Sequence, residues 1–177
     1  CVTGRPPRWM KQVREAFDLG TGICGNGALL YDFRGEQILD SWLINPEELI
    51  KGAATLRKVI PDAAFAVENF HGFHRERGYN PRWDKGQDDV GVSLIEEHLS
   101  QPAIKFLVRS QGEAVSADEM LALADASVGD FLTVTHSNPN ESLLEISAHG
   151  VSKGSMLAKV AQQLGITKED AVTFGDN

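Results

Sequence analysis

The chain has 177 residues, 42% hydrophobic and 24% charged, with a formal net charge of −8. That is the balance of an ordinary globular protein long enough to bury a core without a disulfide or metal staple. The acidic balance argues against nucleic acid as a main partner. No apolar run reaches the ~20 residues of a bilayer span, and no charged-then-apolar leader is visible, so a cytoplasmic protein with no membrane partner is expected.

The chain opens at Cys1, and Val2-Thr3 already reads as the end of a strand, so it is expected to begin inside a larger unit. Pro6 and Pro7 lead into a predicted helix whose apolar residues Met10, Val13, Phe17 and Leu19 fall near helical spacing. Gly20 and Gly22 stop it. Ile23-Cys24 then forms a short strand ending at Gly25-Asn26-Gly27, and Cys24 is expected to be a small core residue. Residues 28–33 and 37–44 flank Arg34-Gly35-Glu36 as a predicted hairpin.

Asn45-Pro46-Glu47-Glu48 carries the N-cap, first-turn proline and third-position glutamate of a helix start, and that helix is expected to end near Pro61. A strand is predicted over 63–70, a loop over 71–90, a short helix over 90–99 and a strand over 103–109. Ser116 opens a helix running to about Val128, and strands follow over 131–136 and 143–147. The apolar residues Met156, Leu157, Val160, Ala161 and Leu164 mark an amphipathic helix over 154–164. A final strand is predicted over 171–174, just before Gly175-Asp176-Asn177. Alternating helices and strands throughout predict an α/β protein, and the middle of the chain has enough elements for a layer of its own.

Three polar sites are each predicted to follow a strand, at the sheet edge where α/β proteins bind ligands. Thr3-Gly4-Arg5 offers a hydroxyl and backbone N–H groups that glycine leaves open, a set able to hold a phosphoryl oxygen. Lys153 stands where the macrodipole disfavours a cation, a placement that a bound anion would explain and that plain exposure explains as well. Asp176 follows an apolar run and can present a carboxylate to Mg²⁺, though a turn aspartate is the simpler reading of the same residue.

Four stretches carry these sites together: VTGRPP (2–7), CGNGALLYD (24–32), LLEISAHGVSKGSML (143–157) and AVTFGDN (171–177). In this order they resemble the landmarks of Cof-type haloacid dehalogenase-like hydrolases. The resemblance implies a partial Rossmann-like α/β core over 1–44 and 141–177, interrupted by an α+β cap over 45–140. It implies hydrolysis of a small phosphorylated metabolite, such as a sugar phosphate, through an aspartyl-phosphate intermediate with Mg²⁺ as cofactor. On this pattern Thr3 binds a phosphoryl oxygen with Gly4 and Arg5, and Lys153 stabilises charge on nucleophile and phosphate. Asp176 helps hold the metal, and Asn26 lies in the Asn-Gly-Ala turn typical of the branch.

The family's Asp-x-Asp nucleophile motif is expected upstream of Thr3, and its further Asn-Asp downstream of Asn177. A non-catalytic binding or regulatory module on the same fold, and a phosphosugar mutase, are the rival readings. Within the middle region Glu68, His71, His74, Arg75, Glu76 and Arg77 form a polar cluster. It is either a solvated loop, a cap surface in which Arg75 and Arg77 meet the leaving group, or a metal pair at His71 and His74. Trp42, Phe73, Tyr79 and Trp83 could stack on a sugar or base, or pack as core.

Overall fold

The computed structural model describes residues 1–18, 20–81, 90–112, 116–136, 138 and 140–173. The chain divides into two compact units, one of Cys1–Trp42 with Gly150–Asn177 and the other of Leu43–His149.

The first unit begins with Val2 in a parallel bridge to Ile23. A 3-10 turn at Pro7–Trp9 and a six-residue helix α1 (Lys11–Ala16) follow. This helix is shorter than its apolar spacing predicts: Met10 is buried, but Phe17 is extended and exposed. Strands β1 (Thr21–Cys24), β2 (Leu29–Asp32) and β3 (Gln37–Ser41) form an antiparallel meander in that order, with a register shift between Leu30 and Tyr31. Helix α4 (Lys153–Gln163) belongs to the same unit. Beyond it the described residues form a 3-10 turn at Lys168–Asp170, where Thr167 Oγ1 donates to Asp170, and no strand over 171–173. The rest of the predicted final strand lies outside the described residues.

The second unit is α+β, a five-stranded sheet ordered β5-β4-β6-β8-β7 and antiparallel at every pairing. Its strands are β4 (Ala63–Asn69), β5 (Gly72–Arg75), β6 (Lys105–Ser110), β7 (Leu132–Thr135) and β8 (Leu143–Ala148). Helices α2 (Pro46–Val59) and α3 (Ala117–Val128) start where predicted: Asn45 Oδ1 accepts the N–H of Glu48, and Ser116 and Glu119 form a capping box.

Strand alternation gives this sheet two unlike faces. Phe65, Val67, Phe106, Val108, Leu132, Val134, Leu144 and Ile146 join Leu49, Leu56, Met120 and Ala124 of the helices in one buried core, with Phe65 and Phe106 stacked, their centroids 5.4 Å apart. Ala64, Ala66 and Leu107, on the other face, pack with Tyr79. A β-carbon at Gly52 would come 2.9 Å from Leu132 Cδ1, so glycine lets α2 lie close to the strands.

Three sequence expectations change in this unit. Residues 72–75, read as loop, form edge strand β5; Asn69 Oδ1 accepts the N–H of His71 and turns the chain back tightly. Residues 90–99, read as a helix, form a 3-10 turn only at Ile95–His98, while Val92 bridges Glu76 in parallel. The chain was expected to rejoin the first unit at 141, but it does so at Gly150, because β8 places Leu144 and Ile146 in the second unit's core.

No helix among the described residues is long and apolar enough to cross a membrane.

Candidate functional site

The best-supported site is built in the first unit from three chain segments. Val2 is held against β1 by two bonds, Ile23 N–H to the Cys1 carbonyl and Thr3 N–H to the Ile23 carbonyl, both 2.8 Å. The chain then leaves the sheet alongside the turn that follows β1. Asn26 N–H donates to the Thr3 carbonyl (3.2 Å) and Gly25 N–H to the Arg5 carbonyl (3.1 Å). The Thr3 hydroxyl oxygen accepts the N–H of Arg5 at 3.2 Å, fixing the loop over Gly4. Thr3 and Gly4 are half-buried and Arg5 is exposed.

The turn itself carries three successive positive φ values: 60° at Gly25, 59° at Asn26 and 112° at Gly27. Asparagine is among the few side chains that tolerate the left-handed region, and Asn26 is 7% exposed. Gly27 has a second constraint, since a β-carbon there would lie 2.5 Å from the Ser152 carbonyl oxygen and 3.0 Å from Met156 Cγ. The turn therefore abuts the start of α4.

At that start, Ser152 and Ser155 form a reciprocal capping box, and Ser155 Oγ also donates to the Gly150 carbonyl at 2.8 Å. Lys153 is the first helical residue and is exposed, and the first turn holds no acidic side chain. An ammonium thus joins the positive end of the helix dipole, where the first N–H groups have no carbonyl within the helix. The arrangement suits an anion. It does not suit the proposed strand context of Lys153: β8, the strand before it, belongs to the other unit's sheet, and Lys153 is set by the helix start instead.

Burial pushes the nearby Cys24 thiol up to about 11, so it stays protonated near neutrality and does not offer a thiolate. Asp176 lies outside the described residues. Among the described residues no three His, Cys, Asp or Glu side chains are placed to share a metal ion.

Arg75 and Arg77 belong to the second unit. Arg75 Nη1 donates to the carbonyls of Glu76 (3.4 Å) and Tyr79 (3.3 Å), and Arg77 Nε to that of Gly91 (3.4 Å). Between them Glu76 turns inward. It is buried, pairs with Arg57, and accepts the N–H groups of Ile95 and Phe65, each at 3.0 Å. Arg57 also grips Glu96 with two bonds of 3.1 and 2.8 Å, and lies over the Phe65 ring. Glu76 is thus a structural hub, which a cluster of polar letters in the sequence gives no sign of. His71 is exposed in the β4–β5 turn, while the His74 ring stacks on His98 at 4.0 Å, an arrangement that turns ring faces rather than nitrogen lone pairs toward each other. Phe73 and Tyr79 meet edge to face within the second unit, and Trp83 lies outside the described residues.

The sequence model of one family, the haloacid dehalogenase-like hydrolases, matches residues 1–177. Solved structures share the fold at low identity. A subclass IIB sugar phosphatase of the HAD superfamily is 18% identical with a TM-score of 0.70, over 96% of this chain and 63% of its own. A phosphatase of the haloalkanoate (HAD) superfamily from Bacteroides thetaiotaomicron is 20% identical with a TM-score of 0.70, over 96% of this chain and 60% of its own. A protein of Streptococcus mutans is 18% identical with a TM-score of 0.78, over 99% of this chain and 66% of its own. The chain thus spans under two thirds of the length of these structures.

Proposed function

The chain belongs to the haloacid dehalogenase-like hydrolases, and on that premise we propose that the protein hydrolyses a small phosphomonoester, with a sugar phosphate as the favoured class. The observation that carries this reading is the junction at Gly27. There the Thr3 loop, the Asn26 turn and the Lys153 helix start are held together by the Asn26–Thr3 backbone bond and the Gly27–Ser152 approach. The junction supplies a hydroxyl, the first N–H groups of a helix and a cation, the groups that stabilise charge on a transferring phosphoryl.

In this reading Thr3 and Gly4 hold phosphoryl oxygens, and Arg5 and Asn26 border them. Lys153 takes up the negative charge that spreads over the oxygens and the attacking carboxylate. The nucleophile is the first aspartate of the Asp-x-Asp expected upstream of Thr3. Its carboxylate bonds to phosphorus as the ester's P–O bond breaks and the alcohol leaves, and water then cleaves the aspartyl-phosphate to orthophosphate and free carboxylate. Magnesium belongs to the reading through Asp176, a hard oxygen ligand suited to it. The middle unit acts as the cap, with Arg75 and Arg77 toward the leaving group.

The test is release of orthophosphate by the full-length protein from a panel of phosphate esters with magnesium present. Hydrolysis of sugar phosphates supports the reading. Phosphate binding without turnover favours the non-catalytic module, and phosphate transfer to a second sugar favours the mutase.

A further inference from the structure

Helix α4 presents one face to the rest of its unit, and three residues along it touch in turn. Ser152 and Met156 meet Gly27. Lys159, three residues beyond Met156 and so on the same side of the helix, holds its ammonium 4.6 Å from the centre of the Trp42 ring. Trp42 is in turn fixed by its backbone: its N–H donates to the Ala28 carbonyl at 2.8 Å, one residue past Gly27. The contacts at Gly27 and at Trp42 therefore lead back to the same turn, and α4 packs on β1 as well. Ser152 and Lys159 are seven residues apart, about 10 Å along the axis.

We propose that Trp42 and Lys159 are positioning residues for Lys153, acting as a clasp that stops α4 from rolling or swinging about its contact at Gly27. The proposal rests on the phosphatase reading for its kinetic consequence, but the clasp itself is a statement about the helix. The contacts of Ser152 and Met156 with Gly27 and the packing of α4 on β1 secure the start of the helix. The Lys159 contact restrains the helix farther along its length. Lys153 is exposed and the structure gives it no carboxylate partner among the described residues, so its direction depends on the helix that carries it. Charge stabilisation falls steeply with misplacement of the charged group. The half-buried Trp42 ring and the exposed Lys159 make a contact too weak to matter much for folding, which leaves positioning as its visible effect.

The experiment uses the full-length protein and a generic aryl phosphate. Lys159→Met is expected to lower kcat about two- to fivefold, the span an exposed cation–π contact represents, with KM little changed. Lys159→Arg keeps the cation over the ring and should restore kcat. In a Lys153→Ala background, Lys159→Met should have no further effect, because the group it positions is gone. An unchanged kcat in Lys159→Met, or an equal loss in the Lys153→Ala background, overturns the proposal. If the wild-type protein proves inactive, the phosphatase reading fails and the clasp is judged by nuclear magnetic resonance instead. Amide shifts at Lys153 and Gly154 in Lys159→Met, absent in Lys159→Arg, uphold it; unmoved amides overturn it.

Discussion

A β-carbon placed on Gly27 would lie 2.5 Å from the carbonyl oxygen of Ser152, the N-cap of the helix that carries Lys153. Backbone touches backbone here, so no side chain can rotate away to make room. Gly27 also sits at a φ of 112°, outside the comfortable range of other residues. Gly27→Ala should therefore destabilise the protein by roughly 2–4 kcal/mol, combining backbone strain with overpacking. Denaturant unfolding measures it, and a loss below about 0.5 kcal/mol would mean that the turn and the helix are not pressed together as described.

The second unit hangs on Glu76. Its carboxylate meets the Arg57 guanidinium and two backbone N–H groups, and it is buried. Removing one member of a buried, hydrogen-bonded charge set typically costs about 3–5 kcal/mol, since its partners are left without compensation. Arg57 is partly exposed and water can reach it, so Glu76→Ala is expected at the lower end, about 3 kcal/mol. The midpoint of urea unfolding checks this, and a shift equivalent to under 1 kcal/mol would place Glu76 among ordinary surface residues.

Acid should weaken the same unit for a traceable reason. Asp62 accepts from Ser110 Oγ (2.6 Å) and from Gly112 N–H (2.7 Å), and the Ser110 bond foremost holds its carboxyl below the usual value. Hydrogen bonds from Arg57 do the same, first among causes, for Glu96. A carboxyl whose pKa is lowered on folding contributes stability above its unfolded pKa and loses it as pH falls through the folded one. The loss thus falls below about pH 4, the ordinary carboxylate range. Unfolding midpoints recorded from pH 7 to pH 3 should drop at the acid end, and Asp62→Asn should flatten that drop. A parent and variant with parallel profiles would contradict the assignment.

Much of this was legible in the residues because local chemistry and tertiary packing agree. Asn45, Ser116 and the apolar run of α4 mark helices that form within a residue or two of the expected ends. The departures fall where long-range pairing decides. Gly72–Arg75 is a strand because β4 offers it an edge, although Gly-Phe-His-Arg is too short to show an alternation of its own. Residues 143–148 leave the first unit because β6 and β7 flank them on both sides. At the site, the motifs pointed to Thr3, Asn26 and Lys153 separately. That Gly27 presses on Ser152, and that Trp42 reaches Lys159, depends on contacts across more than a hundred residues of chain, for which spacing gives no signal.

The central claim, that Lys153 at the start of α4 serves phosphoryl transfer, is tested most directly by orthophosphate release from a saturating sugar phosphate, comparing the full-length protein with its Lys153→Ala variant. Losing one preorganised charge-stabilising group typically lowers kcat by ~10²–10³-fold, and that is the predicted result, with the variant's unfolding midpoint unchanged because Lys153 is exposed. A Lys153→Ala protein that keeps kcat within about threefold of the parent would contradict the account.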